Sequence, residues 1–253
     1  MTLSLLELKS TAALILLAIT LIAGYYPFHK RHNTTHELEL PWAEAFTSGV
    51  FLGAGLLHML SDANQRFLAT GHNYPWAFLI VGITFLALYI LEETARYYQR
   101  HQTMQQALFA VIATLMLAIH SLLEGTALGL SSNLWMAVLI FIAIFAHKWA
   151  AGFALAVQIN KTGLGLLNRA SLFIAFALMT PLGIVLGDWI HHHTATNTLI
   201  EPIFTAMAAG TFIYLGTLHH IGHRCSSPKQ TLPRYFFFMV SGFALMALVA
   251  IWT

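Results

Sequence analysis

An all-helical integral membrane bundle of eight transmembrane helices is the fold this sequence predicts, and three observations predict it. Of 253 residues, 58% are hydrophobic and only 9% are charged, whereas a soluble domain carries roughly 25% charged residues. Apolar runs long enough to cross a hydrocarbon core about 30 Å thick recur through the chain. The charged residues collect between those runs, where hydrocarbon does not have to accommodate them. A formal charge of +2 gives no bias toward nucleic acid. Cys225, the single cysteine, supports neither an internal disulfide nor a multi-thiolate metal site.

The apolar runs occupy residues 5–26, 42–62, 75–97, 105–130, 134–159, 166–190, 199–221 and 233–252. The first begins with Glu7 and Lys9 instead of a basic cluster and has no clean small-residue cleavage site after it, so it reads as a mature helix and not a leader. The second ends on His58 and Asp62, and the third on Glu92 and Glu93. The fourth holds His120 and Glu124 near its middle, the fifth holds His147, and the sixth contains Thr180-Pro181. The seventh ends in His219, His220 and His223, while the eighth is apolar after Arg234. Turn formers separate the runs, as in Gly71-His72-Asn73-Tyr74-Pro75 and Lys161-Thr162-Gly163. No connection is long enough for an extramembrane domain, so 1–253 reads as one transmembrane domain.

Basic residues set the orientation. With eight spans, Lys30, Arg31, Arg96, Arg100, Lys161, Arg169, Arg224, Lys229 and Arg234 fall on one side, against Lys9 and Arg66 on the other. The richer side is expected to be cytoplasmic, with both termini opposite it. Removing or adding one span would scramble this alternation, so the charges support the count as well as the direction.

Within the spans, His120 and Glu124 are four residues apart and share a helix face. A carboxylate at that depth costs about 2.5–3.5 kcal/mol on insertion scales unless it meets a partner or a wet cavity. Imidazole nitrogen with carboxylate oxygen suits zinc and tolerates other divalent transition metals. His147 at matching depth completes a three-ligand set. A lone intramembrane histidine is more often a hydrogen-bonded core residue, and it is the combination of two histidines with an acid that points to metal.

The run His120-Ser121-Leu122-Leu123-Glu124-Gly125 resembles the fourth-helix signature of the ZIP metal transporters, written His-Asn-x-Pro-Glu-Gly in many members. Ala146-His147-Lys148-Trp149-Ala150-Ala151-Gly152-Phe153 resembles the paired fifth-helix signature. Gly49 through His58 and Asp62 resembles the second helix, Thr180-Pro181-Leu182-Gly183 the sixth, and Ala209-Gly210-Thr211-Phe212 the seventh. The resemblance implies an eight-helix ZIP-type bundle that moves divalent metal, zinc first, toward the cytoplasm, one group of helices moving against another. It implies no enzymatic activity and no prosthetic group. Its setting would be the bilayer of a plasma or inner membrane, and a second copy of the chain is the candidate protein partner.

The departures from the family pattern matter as much. Lys148 and Ala151 stand where many members carry acids for a second metal, and Thr180 stands where a glutamate is common. These substitutions predict one central site, formed by His120, Glu124 and His147, with Ser121, Lys148 and Thr180 modulating it. Lys148 either takes the place of the second metal or pairs with Glu124 to hold the path closed without metal. Ser121 and Leu123 replace an amide ligand and a kinking proline.

For passage through the membrane, His58 and Asp62 are the access ligands on the outer side. On the inner side Glu92, Glu93, His219, His220 and His223 are exit ligands, with solvated caps the competing reading for Glu92 and Glu93. His191, His192 and His193 are read as solvated loop. The Gly49/Gly53, Gly125/Gly129 and Gly183/Gly187 pairs allow close helix approach. The alternative function is an intramembrane zinc-dependent hydrolase, but such enzymes place their ligands toward one membrane face, whereas His120, Glu124 and His147 cluster centrally, and His-Glu-x-x-His is absent. A bis-histidine haem carrier would leave Glu124 unexplained.

Overall fold

The computed structural model describes residues 4–32, 41–71, 74–98, 102–193, 199–219 and 232–251. All of its regular structure is helical: α1 (Leu5–His32), α2 (Pro41–Gly53), a π-helix over Ala54–Met59, α3 (Leu60–Ala69), α4 (Trp76–Tyr98), α5 (Gln102–Leu130), α6 (Leu134–Asn160), α7 (Leu166–His193), α8 (Ile200–Tyr214), a second π-helix over Leu215–His219, and α9 (Leu232–Val249). Among the described residues, six helices are long and apolar enough to cross a membrane, Leu5–His29, Trp42–Ala69, Trp76–Thr94, Ala110–Leu130, Leu134–Asn160 and Leu166–His193, with the shorter apolar Pro233–Val249 beside them.

Burial runs opposite to that of a soluble protein. Ile22 and Phe237 are 72% and 68% exposed, while His120, His147 and Lys148 are at most 1% exposed. Apolar side chains outside and ionisable ones inside is the partition hydrocarbon imposes.

Packing divides the helices into two groups. In one, α5 lies chiefly on α7 and α1 on α6; in the other, α2 lies on α9 and α4 on α8. The groups meet mainly where α5 faces α8 and α2 faces α6. The α5–α7 crossing is backbone to backbone: a Cβ on Gly125 would sit 2.4 Å from the Thr180 carbonyl oxygen, and one on Gly183 2.3 Å from that of Leu122. Gly129 and Gly187 extend the seam, and Gly49, Gly53 and Gly242 make the same close contact between α2 and α9. This seam carries Thr180 to Glu124, so the glycine spacing acts on the site as well as on packing.

Polar contacts mark the two ends of the bundle. At one end Lys9 Nζ donates to Asp188 Oδ1 and to the Gly129 carbonyl, both at 2.6 Å, and Arg66 on α3 pairs with Glu201 on α8. At the other, Lys161 after α6 pairs with Glu44 on α2 at 2.5 Å, and Arg169 on α7 donates to Asn160 Oδ1 at 2.7 Å.

Two local expectations change. The second run does not stop at Asp62: the helix continues to Ala69, held by the i,i+4 Asp62–Arg66 pair and the buried Phe67, and ends where Gly71 takes φ +82. His191, His192 and His193 are the last turn of α7 and not loop, because His192 and His193 Nδ1 each donate 2.8 Å to the carbonyl four residues back.

Candidate metal centre

The site is built on α5 and α6. One turn of α5 sets Nε2 of His120 3.1 Å from Oε2 of Glu124, and α6 brings His147 Nε2 to 2.9 Å from the same oxygen. Among the described residues, His120, Glu124 and His147 are the group of three ligand types whose donor atoms all lie within 4.8 Å of one another. Zinc with bonds of about 2.0–2.2 Å to nitrogen and oxygen spaces tetrahedral donors about 3.3–3.6 Å apart, slightly wider than the 3.1 and 2.9 Å that separate the imidazoles from Glu124.

The hydrogen bonds around His120 present the correct nitrogen. Thr211 donates its hydroxyl proton to the Ala208 carbonyl at 2.6 Å, so its oxygen accepts from His120 Nδ1–H at 3.0 Å. That tautomer leaves the Nε2 lone pair facing Glu124, which is the arrangement a metal-ligating imidazole requires. Phe212, the next residue on α8, stacks on the His120 ring at 3.7 Å and meets the His147 ring edge-on at 4.9 Å. His147 Nδ1 is buried and has no hydrogen-bond partner among the described residues.

On the other oxygen of Glu124 lies Lys148. Its Nζ donates to Glu124 Oε1 at 2.6 Å, to Ser121 Oγ at 2.7 Å and to Thr180 Oγ1 at 2.5 Å, and Thr180 donates to the same carboxylate oxygen at 3.2 Å. The three residues expected to modulate the site are therefore one hydrogen-bonded unit with Glu124. Three donor bonds satisfy the ammonium fully, the condition on which a buried ion pair persists. At Leu123, where the resemblance expects a proline, α5 runs on without a break.

A cavity of about 30 Å³, room for a water or two, reaches Glu124 and His147 from the end of the bundle marked by Arg66 and Glu201. His58, Asp62, Glu201 and Thr205 also line it. His58 sits in the first π-helix, whose widened turn changes which face each side chain takes; π segments recur at functional sites. Asp62 is held by Arg66, whose Nε donates to both carboxylate oxygens at 2.9 Å. Glu201, Arg66 and Thr211 are absent from the ligands and modulators the sequence suggests. Glu201 opening the seventh run was the available signal, but a pair 135 positions apart has no spacing to betray it.

Toward the other end, Glu92 is 2% exposed and accepts a hydrogen bond from the Tyr214 hydroxyl, so a solvated cap does not describe it. Its neighbour Glu93 is exposed. His219 closes the second π-helix; its side chain, together with His220 and His223, lies outside the described residues.

An apolar-coated helical bundle enclosing a buried His–Glu–His cluster, with a cavity leading to it, defines a class: helical membrane proteins organised around an intramembrane polar site. The ZIP Zinc transporter family model matches residues 6–107 and 98–250. Zinc transporter ZIP2 of Mus musculus is 26% identical across 98% of this chain and 99% of its own length, and Zinc transporter ZIP1 of Takifugu rubripes is 29% identical across 96% and 97%. Protein zntD of Dictyostelium discoideum is 35% identical over 57% of this chain, a segment equal to 22% of that protein. The chain belongs to the ZIP zinc transporter family, a family of transport proteins and not of enzymes.

Proposed function

We propose that this protein carries divalent metal, zinc first among the candidates, across a membrane toward the cytoplasm through one central site formed by His120, Glu124 and His147. The convergence of both imidazole Nε2 atoms on one Glu124 oxygen carries this reading, because the cluster is buried and yet touched by the cavity. Family membership supports zinc as cargo. No prosthetic group is needed, and other divalent transition metals fit the same donors.

In this reading eight spans cross the bilayer of a plasma or inner membrane, with α8 plus its π extension and α9 completing the six longer helices, and both termini lie outside. The charge distribution supports this: Lys161, Arg169 and Arg234 belong to the end opposite Lys9 and Arg66. The whole chain acts as one transport domain, with a second copy as the candidate partner. Metal enters past Asp62 and His58, which line the cavity, and leaves past Glu92 and the histidines that follow α8. Lys148 supports a mononuclear site, since its ammonium holds the Glu124 oxygen that a second metal would need.

Zinc uptake into proteoliposomes tests the reading. Wild-type protein is expected to load zinc, and Glu124→Ala and His147→Ala protein of equal folding and orientation to lose that flux. Absence of wild-type flux with zinc, iron, manganese, cobalt and cadmium would overturn it.

A further inference from the structure

At the mouth of the cavity two carboxylates share one guanidinium. Arg66 Nε takes both oxygens of Asp62 at 2.9 Å, and its Nη1 donates to Glu201 Oε1 at 2.7 Å. The three side chains are 21–28% exposed, so water and ions reach them. Asp62 and Glu201 line the cavity, whereas Arg66 is not among its lining residues. The carboxylates thus face the path and the cation holds them from beside it. One guanidinium against two carboxylates leaves a formal charge of −1 at the mouth. Deeper along the same wall, His58 Nδ1 and His147 Nδ1 are buried nitrogens without hydrogen-bond partners among the described residues.

We propose that Asp62 and Glu201 form a second, outer site for a divalent cation, and that Arg66 is its resident counter-cation, set there to keep the site weak. The inference rests on the transport reading above and adds to it Glu201 and Arg66. Two carboxylates with a nearby imidazole would bind zinc tightly if left to themselves. A site on a conduction path has to release its ion as readily as it takes it. A guanidinium already bonded to both acids offsets half their charge and makes each arriving metal compete for their oxygens. The chelated geometry also keeps the acids splayed and ready, so little side-chain freedom is lost when metal arrives. Lys148 bears the same relation to Glu124 in the central site, an internal cation bonded to a ligand carboxylate. The outer arrangement differs in being partly exposed, which allows the exchange to be fast.

The decisive measurement is equilibrium dialysis with zinc alone on the full-length protein in detergent, in a Glu124→Ala background that disables the central site. The expected result is one residual weak zinc per chain, bound about tenfold tighter or more once Arg66→Gln is added, and lost again on adding Glu201→Gln. Arg66→Lys, which keeps a charge but not the fork, should fall between Arg66 and Gln. Unchanged zinc affinity in a folded Arg66→Gln protein, or affinity indifferent to Glu201→Gln, overturns the proposal. If Arg66→Gln does not fold, Glu201→Gln alone decides, since residual zinc must weaken for the proposal to stand. Failure of the transport reading looks different: zinc flux in proteoliposomes would survive Glu124→Ala, whatever Arg66 does.

Discussion

Replacing Lys148 with methionine is the sharpest single perturbation of the central site. Methionine matches the stem in volume and removes the ammonium, so packing against Phe176, over whose ring Nζ sits at 5.0 Å, is largely kept. Three donor bonds are lost, to Glu124, Ser121 and Thr180. Glu124 then keeps its charge inside the bundle with His147 and Thr180 as its remaining partners. Removing one member of a buried pair costs about 3–5 kcal/mol, and a chain of this size loses about 2–4 °C per kcal/mol, so metal-free Lys148→Met should melt about 6–20 °C below wild type. Zinc supplies the missing positive charge and should recover most of that loss. The assay is a thermal melt of purified protein, with chelator and with saturating zinc. A metal-free melting point within about 2 °C of wild type would refute the reasoning, since the ammonium would then contribute nothing that methionine does not. A large loss that zinc fails to restore would place Lys148 in folding and not in charge balance at a metal site.

Other consequences are briefer. Metal counting on wild-type protein stripped of loop histidines should give one tightly bound zinc per chain, and two would end the mononuclear reading. Gly183→Ala forces a Cβ to within 2.3 Å of the Leu122 carbonyl oxygen; it should cost about 1–3 kcal/mol and weaken zinc binding by moving Thr180 off Lys148, readable by a melt and by dialysis. Glu44→Gln removes a pair whose members are 26% and 29% exposed, so stability should change by no more than about 1 kcal/mol, checked by the same melt. Tyr214→Phe takes the hydroxyl donor from buried Glu92 and should slow zinc delivery to the liposome lumen while leaving equilibrium zinc binding at the central site unchanged.

Helical periodicity and charge cost made much of this site readable in the sequence. His120 and Glu124 had to share a face of α5, and an acid at that depth had to have partners. Lys148, Ser121 and Thr180 were identifiable as a group because each departs from a family pattern, yet only the structure joins Ser121 and Thr180 to the Lys148 ammonium and that ammonium to Glu124 Oε1. The small-residue pairs on α5 and α7 were visible, but that they dock on each other, and so bring Thr180 to Glu124, depends on which helices are neighbours. Arg66–Glu201 and Tyr214–Glu92 were hidden for the same reason. His58 and Asp62 were both named from the sequence and both line the cavity, but a π-helix has no strong sequence signature, so the widened turn that carries His58 was not readable.

The division of labour between helices bears on how such a site could open to two sides. All three candidate ligand side chains come from α5 and α6, and the residues that hold Glu124 in place come from α5, α6 and α7, which pack with α1 as one group. What α8 offers across the interface is an aromatic face, a hydroxyl and a backbone carbonyl, through Phe212, Thr211 and Ala208. The hydroxyl bonds to Nδ1, on the far side of the imidazole from the metal position, and the ring lies against His120 without a donor atom. A shift of α8 relative to α5 would therefore exchange the Phe212 ring contacts and the bonds from His120 Nδ1 to Thr211 and Ala208, and it would leave the three candidate ligands together. At the end remote from the cavity, Glu44–Lys161 joins the same two groups between α2 and α6. Its partial exposure keeps it weak, so breaking it would oppose such a shift by little. In the proposed transport reading, metal would travel with the group of helices that holds it, past the group that caps it.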